Sequence, residues 1–183
     1  TVTCTGSGIA QAAATATVAT FTSNLTAGQS CTLVSQVIGG NVIYPAVRNN
    51  GAGTINVNGN ITGGSNGGGG TSDGLRNDSN GTINITGNLQ GGGSNGPAVL
   101  NSSTGTIYVT GTVTGGSSGT GNCQGINNVS TGSVVVTGKC TGGAATINTG
   151  FAYAVANSST GNLTIVGEAS SLNNIPAVAS PNS

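Results

Sequence analysis

The sequence predicts an all-β fold: a parallel β-solenoid (β-helix) of about five turns with an N-terminal β cap. Three observations predict it. The stretch Asn101–Gly116 (NSSTGTIYVTGTVTGG) recurs as Asn77–Gly92 and Asn49–Gly64 before it, as Asn128–Gly143 after it, and in eroded form as Asn157–Ser170. Within each copy, apolar residues alternate with polar ones at period two, the spacing of a strand with one buried face. The composition is polar yet uncharged: of 183 residues 35 are Gly, and three Lys or Arg balance three Asp or Glu. Disorder goes with high net charge and few β-branched residues, and neither holds here.

Residues 1–43 do not follow the repeat and are assigned to the cap. Thr15–Thr22 and Cys31–Ile38 carry strand patterns within it. A solenoid end left open exposes apolar side chains and an unpaired edge, so a cap is needed. A Cys4–Cys31 disulfide would tie the cap together.

Residues 44–170 form the repeats. They align on Gly53, Gly81, Gly105, Gly132 and Gly161, with spacings of 28, 24, 27 and 29 residues. A fixed consensus with variable spacing places the insertions in loops. Each turn holds three short strand segments. The first pairs a small residue with an apolar one, as in Ala46-Val47 and Gly74-Leu75. The second alternates, as in Ile55/Val57 and Ile107/Val109. The third carries one inward residue: Ile61, Leu89, Val113, Cys140 or Ala169. Segments this short bury nothing alone. Stacked in register, they make continuous apolar columns, with glycines at the corners.

An Asn occupies one phase of every turn: Asn49, Asn77, Asn101, Asn128 and Asn157. Identical amides stacked along the axis form a structural hydrogen-bonded ladder. The other two of the four cysteines, Cys123 and Cys140, lie in one turn, where a bond would close a loop worth about 3 kcal/mol of chain entropy. Buried thiols are the alternative. Two disulfides would place the protein outside a reducing cytosol. Residues 171–183 leave the pattern, and their prolines suit a C-terminal cap or a docking tail. The chain has no Met and starts at Thr1, which fits either a removed leader or a trimmed initiator.

The chemistry the residues support is limited. There is no His, so a Ser–His nucleophile is excluded. Glycosidase chemistry needs paired carboxylates. Asp73 and Asp78 flank Arg76, which favours a surface ion pair, and Glu168 lies about three turns away. No catalytic residue, cofactor or metal site is therefore expected. Calcium-binding solenoid turns need aspartates that the glycine runs lack. Three basic residues make no nucleic-acid footprint, and no apolar run is long enough to span a membrane. An ice-binding face would need a regular Thr array, which Tyr108 interrupts. Candidate partner-binding residues are the three tyrosines, Tyr44, Tyr108 and Tyr153, whose rings suit a glycan or a subunit contact.

The motif of Gly105–Gly116, a Gly followed by alternating apolar positions and a closing T-G-G, resembles the Gly/Thr/Asn-rich repeats of bacteriophage fibre proteins and bacterial surface adhesins. The resemblance covers residues 44–170. It implies trimeric or filamentous display and host attachment, and it transfers no catalytic or binding residue. The expected function is a non-enzymatic structural or adhesive fibre or decoration protein on a virion surface, with self-association or other structural subunits, or a cell-surface glycan, as partners. The alternative is a secreted bacterial adhesin or matrix-filament subunit that assembles end to end.

Overall fold

In a computed structural model, residues 2–5, 21–34, 36–39, 45–64, 72–93, 96–118, 123–145, 153–171 and 178–179 are described. They are all-β and form a parallel β-solenoid of about five turns. Three sheets run along its axis, and successive turns add one strand to each.

The first sheet carries the five-residue strands. Ser30–Val34, Thr54–Asn58, Thr82–Thr86, Thr106–Thr110, Ser133–Thr137 and Asn162–Val166 pair in parallel. The register has no slip: Ile55 pairs with Ile83, Ile83 with Ile107, Ile107 with Val134 and Val134 with Leu163. Period-two alternation turns these residues, and Val57, Ile85, Val109 and Val136, into the interior. A one-residue slip would expose both columns, so burial itself fixes the register.

The second sheet carries the Asn residues. It runs Phe21–Ser23, Val47–Asn49, Leu75–Asn77, Val99–Asn101, Ile126–Asn128, Val155–Asn157 and Val178–Ala179. The third is built of two-residue strands: Val37–Ile38, Ile61–Thr62, Leu89–Gln90, Val113–Thr114, Cys140–Thr141 and Ala169–Ser170. Ser117–Ser118 and Ala144–Ala145 make a further parallel pair at one corner. The corner between the first and third sheets is turned by Gly87, Gly111, Gly138 and Gly167, whose φ values are 152°, 146°, 145° and 153°. Side-chain-bearing residues seldom adopt that conformation, and a Cβ on Gly111 would lie 2.1 Å from the Gly87 carbonyl oxygen.

The core is one axial cluster. Leu75, Ile83, Ile85 and Leu89 represent a single turn, each at most 2% exposed. Each such side chain contributes roughly 1.5–3 kcal/mol on burial, and it is buried only because a turn lies on either side.

Stacking begins before Tyr44. Residues 21–39 supply a strand to all three sheets: Phe21 pairs with Val47, Cys31 with Ile55, and Val37 with Ile61. What sequence assigns to a separate cap therefore continues the coil. The element that departs from it is Val2–Thr5, which lies antiparallel on Ser30–Val34 and sets Cys4 opposite Cys31. An antiparallel strand does not propagate the coil, so it closes that edge. At the other end, Val178–Ala179 adds a parallel strand beside Val155 and Ala156, so part of the C-terminal segment docks on the second sheet. The strand pattern over residues 15–20, Tyr44, the glycine-rich insertions at residues 65–71 and the segment 172–177 lie outside the described residues.

Candidate functional surface

The stacked asparagines sit where the second sheet meets the corner leading to the first. Asn49 Nδ2 donates to Asn77 Oδ1 at 3.0 Å, Asn77 Nδ2 to Asn101 Oδ1 at 3.0 Å, Asn101 Nδ2 to Asn128 Oδ1 at 3.0 Å, and Asn128 Nδ2 to Asn157 Oδ1 at 3.1 Å. Every bond points the same way along the axis. The first four asparagines are fully buried, and Asn157 is half-buried at the end. The second hydrogens of Asn101, Asn128 and Asn157 reach the carbonyl four residues on, at 3.4, 3.3 and 3.0 Å. Ser23 holds the ladder position in the preceding turn and accepts the Leu25 N–H at 3.3 Å, as Asn49 Oδ1 accepts that of Gly51 at 3.2 Å. The four fully buried amides are satisfied inside the wall, where no ligand reaches them.

The cysteines correct one expectation. Cys123 and Cys140 are buried thiols and do not form the bond that their spacing suggests. Cys140 stands in the third-sheet column between Val113 and Ala169, where it packs as a small apolar side chain. Cys123 directs its Sγ to the Ala144 carbonyl at 3.8 Å. Burial pushes the Cys140 thiol up to about 11.

Of the tyrosines, Tyr108 is exposed on the outer face of the first sheet, 48% accessible, between Asn84 and Val135. Tyr153 is half-buried on the approach to the second sheet, so the structure does not gather the two. Beside Tyr108, Asn84 Nδ2 donates to Asn56 Oδ1 at 2.9 Å, a short external ladder. The outer column Thr32, Asn56, Asn84, Tyr108, Val135, Thr164 is too mixed for a regular hydroxyl lattice.

A polar groove of about 290 Å³ follows the third sheet, lined by Asn60, Thr62, Asn88, Gln90, Thr112 and Thr114 among others. Asn88 Oδ1 accepts the Thr112 N–H at 3.0 Å and its hydroxyl at 2.8 Å, and Asn60 Oδ1 accepts the Asn88 N–H at 2.9 Å. Amides and hydroxyls thus repeat along the axis at the strand spacing.

The carboxylates are divided among three environments. Asp78 is clasped by arginines of two turns: Arg48 Nε donates to Oδ2 at 2.7 Å, and Arg76 Nε to Oδ1 at 2.8 Å. The Ser102 hydroxyl also donates to Oδ1. Burial raises the Asp78 pKa, but the bonds from Arg76, Ser102 and Arg48 outweigh it and hold the carboxyl below its ordinary value. Asp73, expected in a surface ion pair, is instead fully buried with neither oxygen hydrogen-bonded. Desolvation pushes its pKa from 3.8 up to about 7, although nearby Arg76 opposes that and Asp78 adds to it. Glu168 makes an exposed pair with Lys139 at 3.3 Å. Among the described residues, no three His, Cys, Asp or Glu side chains gather as a metal would need, and no helix is long and apolar enough to cross a membrane.

Sequence reasoning missed the link from Arg48 to Asp78, which are 30 residues apart. The signal was present: Arg48 and Arg76 each precede a ladder asparagine by one residue. The groove left no comparable signal, because its lining residues are ordinary Asn, Thr and Gln of the repeat. Comparison with protein-family models, with curated proteins and with solved structures returns no match.

Proposed function

We propose that the chain is a non-enzymatic structural or adhesive fibre or decoration protein displayed on a virion surface, where it attaches to a host or to a glycan. One observation carries this reading. The interior repeats in turn after turn, as the asparagine ladder and the Ile/Val columns do, while two outward columns, Asn56/Asn84/Tyr108/Val135 and Arg48/Arg76/Leu100/Asn127, change in character from turn to turn. A repetitive interior with a variable exterior is the design of a scaffold that presents a surface. Tyr108 and the groove along the third sheet offer places for a saccharide.

A Cys4–Cys31 disulfide belongs to this proposal. The two residues face one another in the antiparallel ladder. Cα atoms so placed are about 4.5–5.5 Å apart, within the range a disulfide spans. The bond would pin the closing strand and would persist outside a reducing cytosol. Peptide mapping without reductant should recover a peptide joining Cys4 and Cys31, with Cys123 and Cys140 alkylated only after unfolding.

Co-sedimentation tests the placement. The chain should travel with purified particles through a density gradient. Its recovery solely in cell-wall or biofilm fractions would sink the virion reading.

The second reading, a secreted adhesin or matrix-filament subunit that assembles end to end, is favoured by a different observation. Among the described residues, Asn162–Val166 ends its sheet, with Leu163 and Ile165 half-buried and Val166 61% exposed. An unpaired edge beside partly exposed apolar columns is a template for a further strand. Filaments that shorten on Val166→Lys substitution would support it. A monomer at every concentration would remove it.

A further inference from the structure

One outward column of the second sheet reads Thr22, Arg48, Arg76, Leu100, Asn127 and Ala156 in consecutive turns, all in register. The coil makes no demand on this column, since hydroxyl, aliphatic and amide side chains all occupy it. Two adjacent turns nevertheless place Arg there, and they are two of the three cationic side chains in the chain. Like charges directly opposed on neighbouring strands, about 4.8 Å apart, are destabilising in themselves.

Asp78 offsets that repulsion through one nitrogen of each guanidinium, Arg48 Nε at 2.7 Å and Arg76 Nε at 2.8 Å. The Nη groups of both arginines make no hydrogen bond or ion pair with any described residue, and each side chain stays 33% exposed. Two planar forks are therefore anchored at Nε, one-third exposed, with no described residue engaging their outer donors. With two arginines and one aspartate, the cluster carries 2 − 1 = +1. Asp73, buried nearby with its pKa near 7, adds less than a full negative charge at neutral pH. The chain's remaining charges, Lys139 and Glu168, neutralise one another.

We infer that Arg48 and Arg76 form an oxyanion-binding site that takes the carboxylate or sulfate group of an acidic polysaccharide. Guanidinium forks match the paired oxygens of such groups, and charge-assisted bonds of this kind are about twice as strong as neutral ones. A polyphosphate ligand is disfavoured, because nucleic-acid binding draws on a stripe of many cations and this surface offers a single pair. One acid group of a saccharide, flanked by its hydroxyls, fits one arginine pair set in neutral hydroxyl and amide surface. The inference deepens the attachment reading above, yet it is measured on the isolated protein, so either can fail alone.

The test is calorimetric titration of the whole chain with polygalacturonate, a sulfated heparin oligosaccharide and neutral dextran at low salt. At least one acidic polymer should bind, with affinity falling as salt rises, and dextran should not compete for that site. Carboxylate and sulfate sources are separated by which polymer binds more tightly. Arg48→Gln with Arg76→Gln should weaken binding about tenfold or more. Arg48→Lys with Arg76→Lys keeps the charge and loses the fork, and should fall between the two. Circular dichroism checks the fold of each variant. If the glutamine pair unfolds, the lysine pair and competition by free sulfate or acetate against the unsubstituted chain decide. No binding of either acidic polymer, binding equal to that of dextran, or variants that bind unchanged would overturn the assignment.

Discussion

A Cβ atom on Gly105 would lie 2.5 Å from the side-chain amide nitrogen of Asn77, one turn away. Gly81 stands in the same relation to Asn49, Gly132 to Asn101 and Gly161 to Asn128. The recurrent glycine and the recurrent asparagine are thus one device. The ladder passes through the space that a side chain at the glycine position would fill.

Gly105→Ala should therefore destabilise the chain through overpacking. The added methyl would also meet the Gly81 carbonyl at 2.3 Å, and backbone cannot swing aside as a side-chain tip can. A cost of about 2–3 kcal/mol, at the upper end of the usual range, is expected as a lower denaturant midpoint. An unchanged midpoint would show that the two turns separate easily, which the packing denies.

Asn101→Ala removes an acceptor from Asn77 Nδ2 and a donor from Asn128 Oδ1, both in fully buried side chains. Each stranded group costs about 1–3 kcal/mol, so the loss should be about 2–6 kcal/mol. Asn157→Ala at the half-buried end takes an acceptor from Asn128 Nδ2, which still has the Gly132 carbonyl at 3.3 Å, and a donor from the Gly161 carbonyl. It should cost near 1 kcal/mol or less. Equal losses in the two variants would mean that the ladder adds nothing by being buried.

Asp73 makes stability depend on pH. Its pKa in the folded chain is about 7 against 3.8 when unperturbed, so the folded state holds a proton that the unfolded state releases between those values. Stability should be greatest at or below pH 3.8 as far as this residue is concerned, and should fall as pH rises through about 7. The total change is on the order of a few kcal/mol. Urea midpoints for Asp73→Asn should lose most of that slope between pH 5 and pH 8.5. A slope that persists would assign the effect elsewhere.

Cys140 packs as an apolar residue in a column that Val113 shares. Cys140→Val adds one branch but stays apolar beside the small Ala169, and should cost under about 1.5 kcal/mol. Cys140→Ser buries a hydroxyl and should cost more, about 1–3 kcal/mol. With the thiol raised to about 11, iodoacetamide at pH 8 should leave Cys140 unmodified until denaturant is added. Rapid labelling of the folded chain would contradict its burial.

The repeat, its strand segments and the inward columns are legible in residue order alone, because period-two burial and a recurrent Gly and Asn are local patterns. Ile83, Val109 and Leu89 face the interior for the reason that their spacing gives. Tertiary structure decided what depends on contacts between turns. Residues 21–39 join the coil although Ser23 replaces the ladder Asn, since in-register burial of Phe21, Cys31, Leu33 and Val37 suffices without the consensus. Cys123 and Cys140 stay apart because each is committed to its own contacts, which loop length does not reveal. Arg48 meets Asp78 and Asp73 is sealed away because stacking brings together residues a full turn apart in the chain. Only the register, a tertiary property, decides which of these distant polar groups are paired and which are buried alone.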